Sequence, residues 1–385
     1  MLMSFNFKLM FQLVCKSLFA CRGTNARLTP KRMAAILILF PVFILFELAN
    51  CIGFMLDEIL FRDYRRSEVN QPVFIVGVPR SGTTFMHRLF AKDREMFTSI
   101  KSWEILFAPS VTQKKFLMAL GAIDRRTGSP IRKKIIIWEE KGLQEMNRMH
   151  KGSLFLPEED EQILIHIFSS FFLGFAFPFE EAILPFWWFD EKMPARDRTR
   201  IMSFYKRCVQ CHMYVFGKGK RFLSKNPAFC SKVRSLNETF PDAKVICMVR
   251  TPLEVLPSML SLFAYISGIF MSPIEPYPMH EALLKVAAYI YRYPIDQLEK
   301  WPPERQSVIR YNALVQNPEQ TVLSLYDRFG LDMSPQYRQV LQEEMHRARQ
   351  YKSSHRYSLE QCGLTREQVV SDYSDIFERF GFDTE

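Results

Sequence analysis

The sequence has few of the features that mark several protein classes. With 15 glycines and 22 prolines among 385 residues and no periodic glycine, collagen-like and disordered chains are excluded. The chain has eight cysteines, of which Cys208 and Cys211 are spaced like zinc ligands. No second cysteine pair and no histidine cluster stands at the spacing that would complete such a site, so we predict free buried thiols. The 48% of hydrophobic residues suffice for the core of one large α/β domain or of two domains.

Acidic residues are absent from the first 32 positions. The whole chain has 51 Lys+Arg and 41 Asp+Glu, and much of this excess lies in that tail. Because nucleic-acid binding needs a basic face on the folded body, a nucleic-acid partner is disfavoured. The basic residues of the tail are Lys8, Lys16, Arg22, Arg27, Lys31 and Arg32.

An apolar run follows the tail and lacks the small-residue cleavage site that would end a signal peptide. It reaches the length of a membrane helix only if Pro41, Glu47 and Asn50 are included. We therefore predict a basic amphipathic tail (residues 1–32), a hydrophobic membrane-associated helix (33–60) that contacts membrane lipids, and a catalytic domain (61–385). A helix pair packed on the catalytic core is the alternative.

The topology follows from the same residues. A helix containing Glu47 and Asn50 disfavours a full span, so we predict a membrane-associated protein whose catalytic domain is cytoplasmic. The alternative is a type II membrane protein with a luminal catalytic domain, since basic residues before the run keep that end cytoplasmic.

A glycine-containing loop follows the first predicted strand. The apolar run Val73–Val76 is typical of a strand buried on both faces of a parallel sheet, and Thr83–Lys92 has helical spacing. Strand, loop and helix in this order direct backbone N–H groups at a phosphate. The lysine that nucleoside triphosphatases carry after the second glycine is missing, and the cation is Arg80 instead. A turn without a ligand is the alternative.

The segment Pro79-Arg-Ser-Gly-Thr-Thr84 resembles the phosphosulfate loop of sulfotransferases that use 3′-phosphoadenosine 5′-phosphosulfate (PAPS), in the variant of the protein-tyrosine and bacterial families. The resemblance implies an α/β, three-layer P-loop-type fold with a central parallel sheet flanked by helices. It implies sulfonyl transfer from PAPS to a hydroxyl acceptor, with release of 3′,5′-adenosine bisphosphate (PAP) and no metal. The loop residues that would bind the cofactor are Arg80, Ser81, Gly82, Thr83 and Thr84.

Further segments extend the resemblance over about residues 61–382, in the expected order. Arg250 follows the predicted strand Val245–Val249 and Ser258 lies eight residues later, which implies binding of the 3′-phosphate. Tyr311 begins a Tyr-x-x-Leu-x-x-x-Pro segment and is implied to lie near the adenine. Residues 355–364 resemble the closing segment of the bacterial family, and we expect them to fold over the cofactor.

The catalytic assignments rest on three residues. Arg80 would hold the phosphosulfate, and Lys225, at the end of a short strand, would follow the charge on the bridging oxygen. The resemblance places a glutamate base about twenty residues past the loop, which is Glu104 here. A structural ion pair of Glu104 with Lys101 or Arg80 is the alternative.

Two segments concern the acceptor. The run Pro157–Glu161 is explained by helix initiation, although with His150 it could line the acceptor pocket. The aromatic stretch Phe168–Phe189 predicts either an apolar cleft, which would suit a lipid, sterol or glycan hydroxyl, or a helical core layer. The sequence does not determine the oligomeric state.

Two other classes of function compete with this interpretation. A P-loop kinase or phosphohydrolase would need a lysine after Gly82 and an aspartate after a strand, where Thr83 and Arg250 stand. A membrane-anchored, non-catalytic nucleotide-binding protein would differ only in lacking activity.

If Glu104 is the base, Glu104→Gln will lose turnover, because an amide cannot accept the acceptor's proton. PAP binding, measured by calorimetry, will persist. Near-normal turnover in this variant would refute the assignment.

Overall fold

The computed structural model describes residues 1–142, 152–348 and 358–384 of the 385-residue chain. At its centre lies a five-stranded sheet in the order β2-β3-β1-β4-β5, and every neighbouring pair is parallel. Parallel pairing requires crossover connections, and helices supply them. The strands are β1 Val73–Gly77, β2 Phe97–Thr98, β3 Arg221–Lys225, β4 Lys244–Val249 and β5 Gln306–Arg310.

Helices cover both faces of the sheet and form the N-terminal part of the chain. Before β3 they are α1 Phe7–Phe19, α2 Pro30–Ala34, α3 Phe40–Leu60, α4 Thr83–Phe90, α5 Ser102–Phe107, α6 Val111–Arg126, α7 Pro130–Gly142, α8 Leu173–Ala176, α9 Glu180–Trp187, α10 Phe189–Lys192 and α11 Ala195–Phe216. After β3 they are α12 Val233–Thr239, α13 Pro252–Phe270, α14 His280–Leu298, α15 Tyr311–Gln316, α16 Pro318–Arg328, α17 Pro335–Ala348, α18 Arg366–Asp372 and α19 Ser374–Phe380.

The central strands are buried on both faces. All five residues of β1 are buried, and they alternate between two hydrophobic clusters: Phe74 and Val76 face one, Val73 and Ile75 the other. Alternation is the consequence of the two-residue period of a strand. The three-layer α/β prediction is therefore confirmed.

The aromatic stretch forms a core layer. Phe171, Phe175, Phe186, Trp187 and Phe189 are buried in the larger hydrophobic cluster, so this part of the sequence does not form an open apolar cleft. Contacts between aromatic rings also stabilise this layer; the rings of Phe171 and Trp187, for example, lie 5.9 Å apart.

The predicted hydrophobic helix is present and lies against the domain. Helical structure is continuous over Pro30–Leu60, with a π-helical turn at Ala35–Leu39 where the missing N–H of Pro41 interrupts the ladder. Among the described residues, this helix and α13 are long and apolar enough to cross a membrane. Leu9 and Leu13 of α1 join the main hydrophobic cluster, so the N-terminal segments share a core with the rest of the chain.

Asp57 attaches α3 to the start of α6. Its carboxylate is fully buried and accepts hydrogen bonds from the backbone N–H groups of Val111 (2.8 Å) and Thr112 (2.7 Å) and from the Thr112 hydroxyl. A carboxylate at a helix N-terminus satisfies donors that have no partner within the helix.

We predict that Asp57→Ala lowers the free energy of unfolding by about 2–4 kcal/mol, because these donors would stay buried without acceptors. Urea unfolding measures the change. The matched control is Asp63→Ala, whose side chain is exposed and whose loss should change stability by less than about 0.5 kcal/mol. Equal stability of the two variants would contradict the proposed role.

Candidate active site

The β1–α4 loop has a backbone that only particular residues tolerate. Gly77, Arg80 and Gly82 have φ angles of +144°, +74° and +95°. A Cβ on Gly77 would lie 2.4 Å from the carbonyl oxygen of Met248, and one on Gly82 would lie 2.5 Å from the ring of Tyr311. Glycine is therefore required at both positions, while Arg80 holds a strained left-handed conformation, as occurs at functional sites.

Four residues predicted to bind the cofactor converge around this loop. The Arg80 Nε donates a hydrogen bond to the Ser258 hydroxyl (3.0 Å), and Arg250 Nη1 donates to the Arg80 carbonyl oxygen (3.2 Å). The Arg250 guanidinium lies 4.2 Å from the centre of the Tyr311 ring and also pairs with Glu254. Residues separated by more than 200 positions therefore meet at the carboxyl edge of the sheet.

The loop is suited to an anion. The Ser81 hydroxyl is buried and has no hydrogen-bond partner among the described residues, and no side chain caps the N-terminus of α4. The first N–H groups of a helix have no acceptor within it, so those of Thr83 and Thr84 are available to a ligand. Together with two guanidinium groups, these donors fit a phosphosulfate.

Lys225 lies beside this loop and is paired with carboxylates. It ends β3, opposite Ile75 of β1, and its side chain is buried. Its Nζ lies 3.1 Å from Glu159 Oε1 and 4.0 Å from Glu158 Oε2. The acidic segment that the sequence explained by helix initiation thus faces the predicted catalytic lysine, and no side-chain cap is formed there.

A small pocket of about 40 Å³ opens between this segment and α4. Burial, and next the charge of Lys225, lower the pKa of His87 to about 3, so this imidazole is neutral at ordinary pH. The lining residues are Thr84, His87, Arg88, Leu156, Pro157, Glu158 and Lys225.

Asp160 holds the acidic segment on β3. Its carboxylate accepts hydrogen bonds from the hydroxyls of Ser224 and Tyr205 (both 2.8 Å) and from the Asn226 amide (3.2 Å). Burial raises the pKa of Asp160 to about 6, against the effect of these hydrogen bonds. Since Ser224 and Asn226 flank Lys225 in sequence, Asp160 fixes the strand end that carries the lysine.

Glu104 lies in a buried ion cluster. Its Oε2 is 2.7 Å from His212 Nδ1 and 3.2 Å from Lys114 Nζ, and its Oε1 accepts a hydrogen bond from the backbone N–H of Lys101 (3.1 Å). Burial alone would raise the pKa of Glu104, but His212 and Lys114 outweigh it and lower the pKa to about 2. A carboxyl with so low a pKa is a weak base, and its assignment as the catalytic base stays a prediction.

One predicted residue and part of one predicted segment lie outside the described residues. His150 lies outside them, as do residues 355–357 of the predicted closing segment. The rest of that segment is described: Cys362 and Leu364 are buried in the main core, and the Cys362 thiol lies 3.8 Å from the Pro257 carbonyl oxygen on α13.

The pair Glu158 and Glu159 was not assigned to catalysis from the sequence. An acidic run beside a proline is also typical of a helix start, so spacing alone could not separate the two uses. The signal that could have identified them is the number of consecutive carboxylates, four from Glu158 to Glu161, which exceeds what one helix terminus needs.

The sequence is similar to those of known sulfotransferases. A profile described as "Sulfotransferase family" matches residues 72–335. Omega-hydroxy-beta-dihydromenaquinone-9 sulfotransferases Stf3 of Mycobacterium bovis and Mycobacterium tuberculosis are each 26% identical over 353 residues, which cover 87% of this chain and 81% of the relative.

Solved structures support the fold. Sulfotransferase STF9 from Mycobacterium avium superposes with a TM-score of 0.68 at 19% identity, covering 86% of this chain and 82% of that chain. Sulfotransferase STF1 from Mycobacterium tuberculosis gives a TM-score of 0.66 at 16% identity, covering 96% and 92%.

We predict that Glu104→Gln destabilises the fold in a pH-dependent way. At neutral pH the free energy of unfolding should fall by roughly 3–5 kcal/mol, because Lys114 would stay buried without its carboxylate. A depressed pKa in the folded state stabilises above the ordinary value near 4.5 and this contribution is lost as the pH falls toward about 2.

The difference between wild type and variant should therefore shrink as the pH is lowered, and urea unfolding across that range measures it. Glu140→Gln, at an exposed position of α7, is the control and should differ from wild type at no pH. A difference that is independent of pH would contradict the ion-cluster assignment.

Proposed function

Since the chain belongs to the sulfotransferase family and is an enzyme that transfers a sulfonyl group, we propose which residues carry out the transfer and which acceptor receives the group. One observation carries the proposal: the β1–α4 loop, Arg250 and Ser258 lie at the same edge of the sheet as the small pocket that Lys225 lines. Ligands of parallel α/β sheets bind at this edge.

The family implies PAPS as the donor. Bound PAPS supplies a sulfonyl group that moves to the acceptor oxygen and leaves PAP behind. Arg80, the N–H groups of Ser81–Thr84 and the Ser81 hydroxyl would hold the phosphosulfate end. Arg250 and Ser258 would hold the 3′-phosphate, which would replace Glu254 as the partner of Arg250. The Tyr311 ring, already beside Arg250, would lie near the adenine.

Lys225 would stabilise the negative charge that develops on the leaving oxygen, because its ammonium group is buried and held in place by Glu159. Arg80, Lys225 and Arg250 would supply the positive charge that a kinase obtains from a metal ion, so we propose no metal for this reaction.

We propose Glu158 as the base in place of Glu104. Its carboxylate lines the pocket together with Lys225, so an acceptor hydroxyl in that pocket lies within reach of it. Glu158 would take the proton of the hydroxyl as the new S–O bond forms. The neutral His87 on the opposite wall would accept or donate a hydrogen bond without competing for charge.

The acceptor we propose is a hydroxyl on a lipid. The curated relatives are named for a hydroxylated menaquinone, and the exposed apolar face of α3 supports a location at a membrane. For the topology we propose that the catalytic domain lies on the cytoplasmic side. A water-soluble glycan acceptor is the outcome that would replace this proposal.

We expect sulfation of a terminally hydroxylated polyprenyl lipid in mixed micelles with PAPS, detected by mass spectrometry, and none of the same lipid without its hydroxyl. Glu158→Gln should reduce kcat by about 10²–10⁴-fold with PAP affinity unchanged. Lys225→Met should reduce kcat by about 10²–10³-fold.

Arg250→Ala should instead weaken PAP binding at least tenfold in calorimetry, by loss of a charge-assisted pair. Arg328→Ala, at an exposed position of α16, is its control and should bind normally. PAP binding that Arg250→Ala leaves unchanged, or full turnover in Glu158→Gln, would contradict the assignments.

A further inference from the structure

The helix α3 is inverted relative to the surface helix of a soluble protein. Its polar residues point inward: Glu47 bonds to His166 (2.8 Å), and Asn50 accepts a hydrogen bond from the amide of Gln113 (2.7 Å). The positions that face outward are apolar, including Leu45 (66% exposed) and Ile59 (73% exposed). A large exposed apolar face of this kind marks a surface that contacts an apolar partner.

The continuous helical stretch Pro30–Leu60, which contains α2 and α3, lies along the domain instead of leaving it. At its start, Arg32 donates hydrogen bonds to the carbonyl oxygens of Phe270 and Ala176 (both 3.1 Å), and Lys31 donates to Gly268 (2.6 Å). Near its end, Asp57 binds the start of α6. Because 31 helical residues extend about 45 Å, a helix attached at both ends presents one long face, parallel to any membrane it meets.

The apolar face continues onto neighbouring helices. The rings of Phe46 in α3 and Phe107 in α5 lie 5.9 Å apart, α6 packs on α3, and α7 packs on α6. We call the exposed apolar residues of α3, α5, α6 and α7 the apolar platform. Outside α3 it consists of Leu106, Phe107, Phe116, Met118, Leu120, Ile123, Ile131, Ile136, Ile137 and Trp138.

The platform is bordered by positive charge. The hairpin of α6 and α7 contains eight basic and three acidic residues, and of the acidic ones Asp124 and Glu139 are buried. Asp124 accepts hydrogen bonds from the N–H groups of Ile131 (2.8 Å) and Arg132 (3.1 Å), which fixes the turn of the hairpin. Exposed basic residues surround that turn: Arg125, Arg126, Arg132, Lys133 and Lys134.

We propose that the apolar platform and this basic border dock on an anionic lipid bilayer, with α3 and the α6–α7 hairpin in the plane of the interface. Apolar side chains beside basic ones are the combination that binds anionic membranes. A second copy of the chain is a poorer partner, because a symmetric interface would bring the same basic borders together.

The hairpin also contacts the acceptor side of the active site. Glu139 of α7 accepts hydrogen bonds from the Leu154 N–H (2.6 Å) and the Ser153 hydroxyl (2.9 Å), just before Pro157 and Glu158. The docked hairpin therefore lies next to the pocket wall, where a lipid acceptor could present its hydroxyl. This last step rests on the proposed function, whereas the docking does not.

Flotation with vesicles tests the docking on the full-length chain. The protein should float with phosphatidylcholine vesicles that contain phosphatidylglycerol. Its affinity for vesicles of phosphatidylcholine alone should be at least tenfold lower. Trp138 is 65% exposed, whereas the other four tryptophans are buried or half-buried. Brominated phosphatidylcholine in the anionic vesicles should therefore quench the fluorescence of Trp138.

Ile137→Glu should weaken vesicle binding about tenfold or more, because a carboxylate would have to enter the interface. Val315→Glu is the matched control: Val315 is 50% exposed but lies on α15 after β5, at the opposite edge of the sheet from the hairpin that follows β2. It should bind like the wild type, and circular dichroism should show both variants folded.

Equal flotation of Ile137→Glu and wild type, equal binding to neutral and anionic vesicles, or absence of quenching would overturn the docking. A dimer in light scattering that Ile137→Glu dissociates would also overturn it, in favour of a second copy. Sulfation of a short water-soluble alcohol, assayed without vesicles, separates the two proposals. Ile137→Glu should retain this activity, and its absence from the wild type would contradict the proposed function alone.

Discussion

The parallel pairing of β1 with β3 on one side and β4 on the other is the constraint on which the site depends. Ile75 lies opposite Lys225, and Gly77 lies opposite Met248, so the loop after β1, the lysine that ends β3 and Arg250 after β4 lie at one edge of the sheet. A shift of register by one residue would turn the side chain of Lys225 to the other face. The backbone hydrogen bonds of the sheet therefore bring the three proposed catalytic cations to one edge, where side-chain contacts such as that of Lys225 with Glu159 hold them.

The four consecutive carboxylates after Pro157, two half-buried and two buried, have different partners. Glu158 lines the pocket, Glu159 holds Lys225, and Asp160 binds the residues on either side of that lysine. Glu161 pairs with Lys232 (2.9 Å) in the core. Each buried charge has a partner, as the cost of burying a charge in a low dielectric demands. In the proposed mechanism, catalysis and stability thus use adjacent residues of one short segment.

The N-terminal part of the chain also pairs its buried polar groups. Glu47, Asn50 and Asp57 would be costly inside a bilayer, yet each finds a partner in the catalytic domain. Meeting these partners turns the apolar side of α3 outward, beside the apolar residues of α6 and α7. In the docking that we propose, a helix whose hydropathy is that of a membrane span forms one side of a monotopic surface instead.

The sequence alone determined the local elements: the loop between β1 and α4, the buried strands and the order of Arg80, Lys225, Arg250 and Tyr311, because strand and loop propensities act over a few residues. Only the tertiary structure decided the partners of the carboxylates. Glu104 meets His212 across 108 positions, and Glu159 meets Lys225 across 66. No spacing rule reaches that far, since such contacts depend on how the sheet and its helices pack. The same holds for α3, whose polar residues read as defects in a membrane helix until their partners are known.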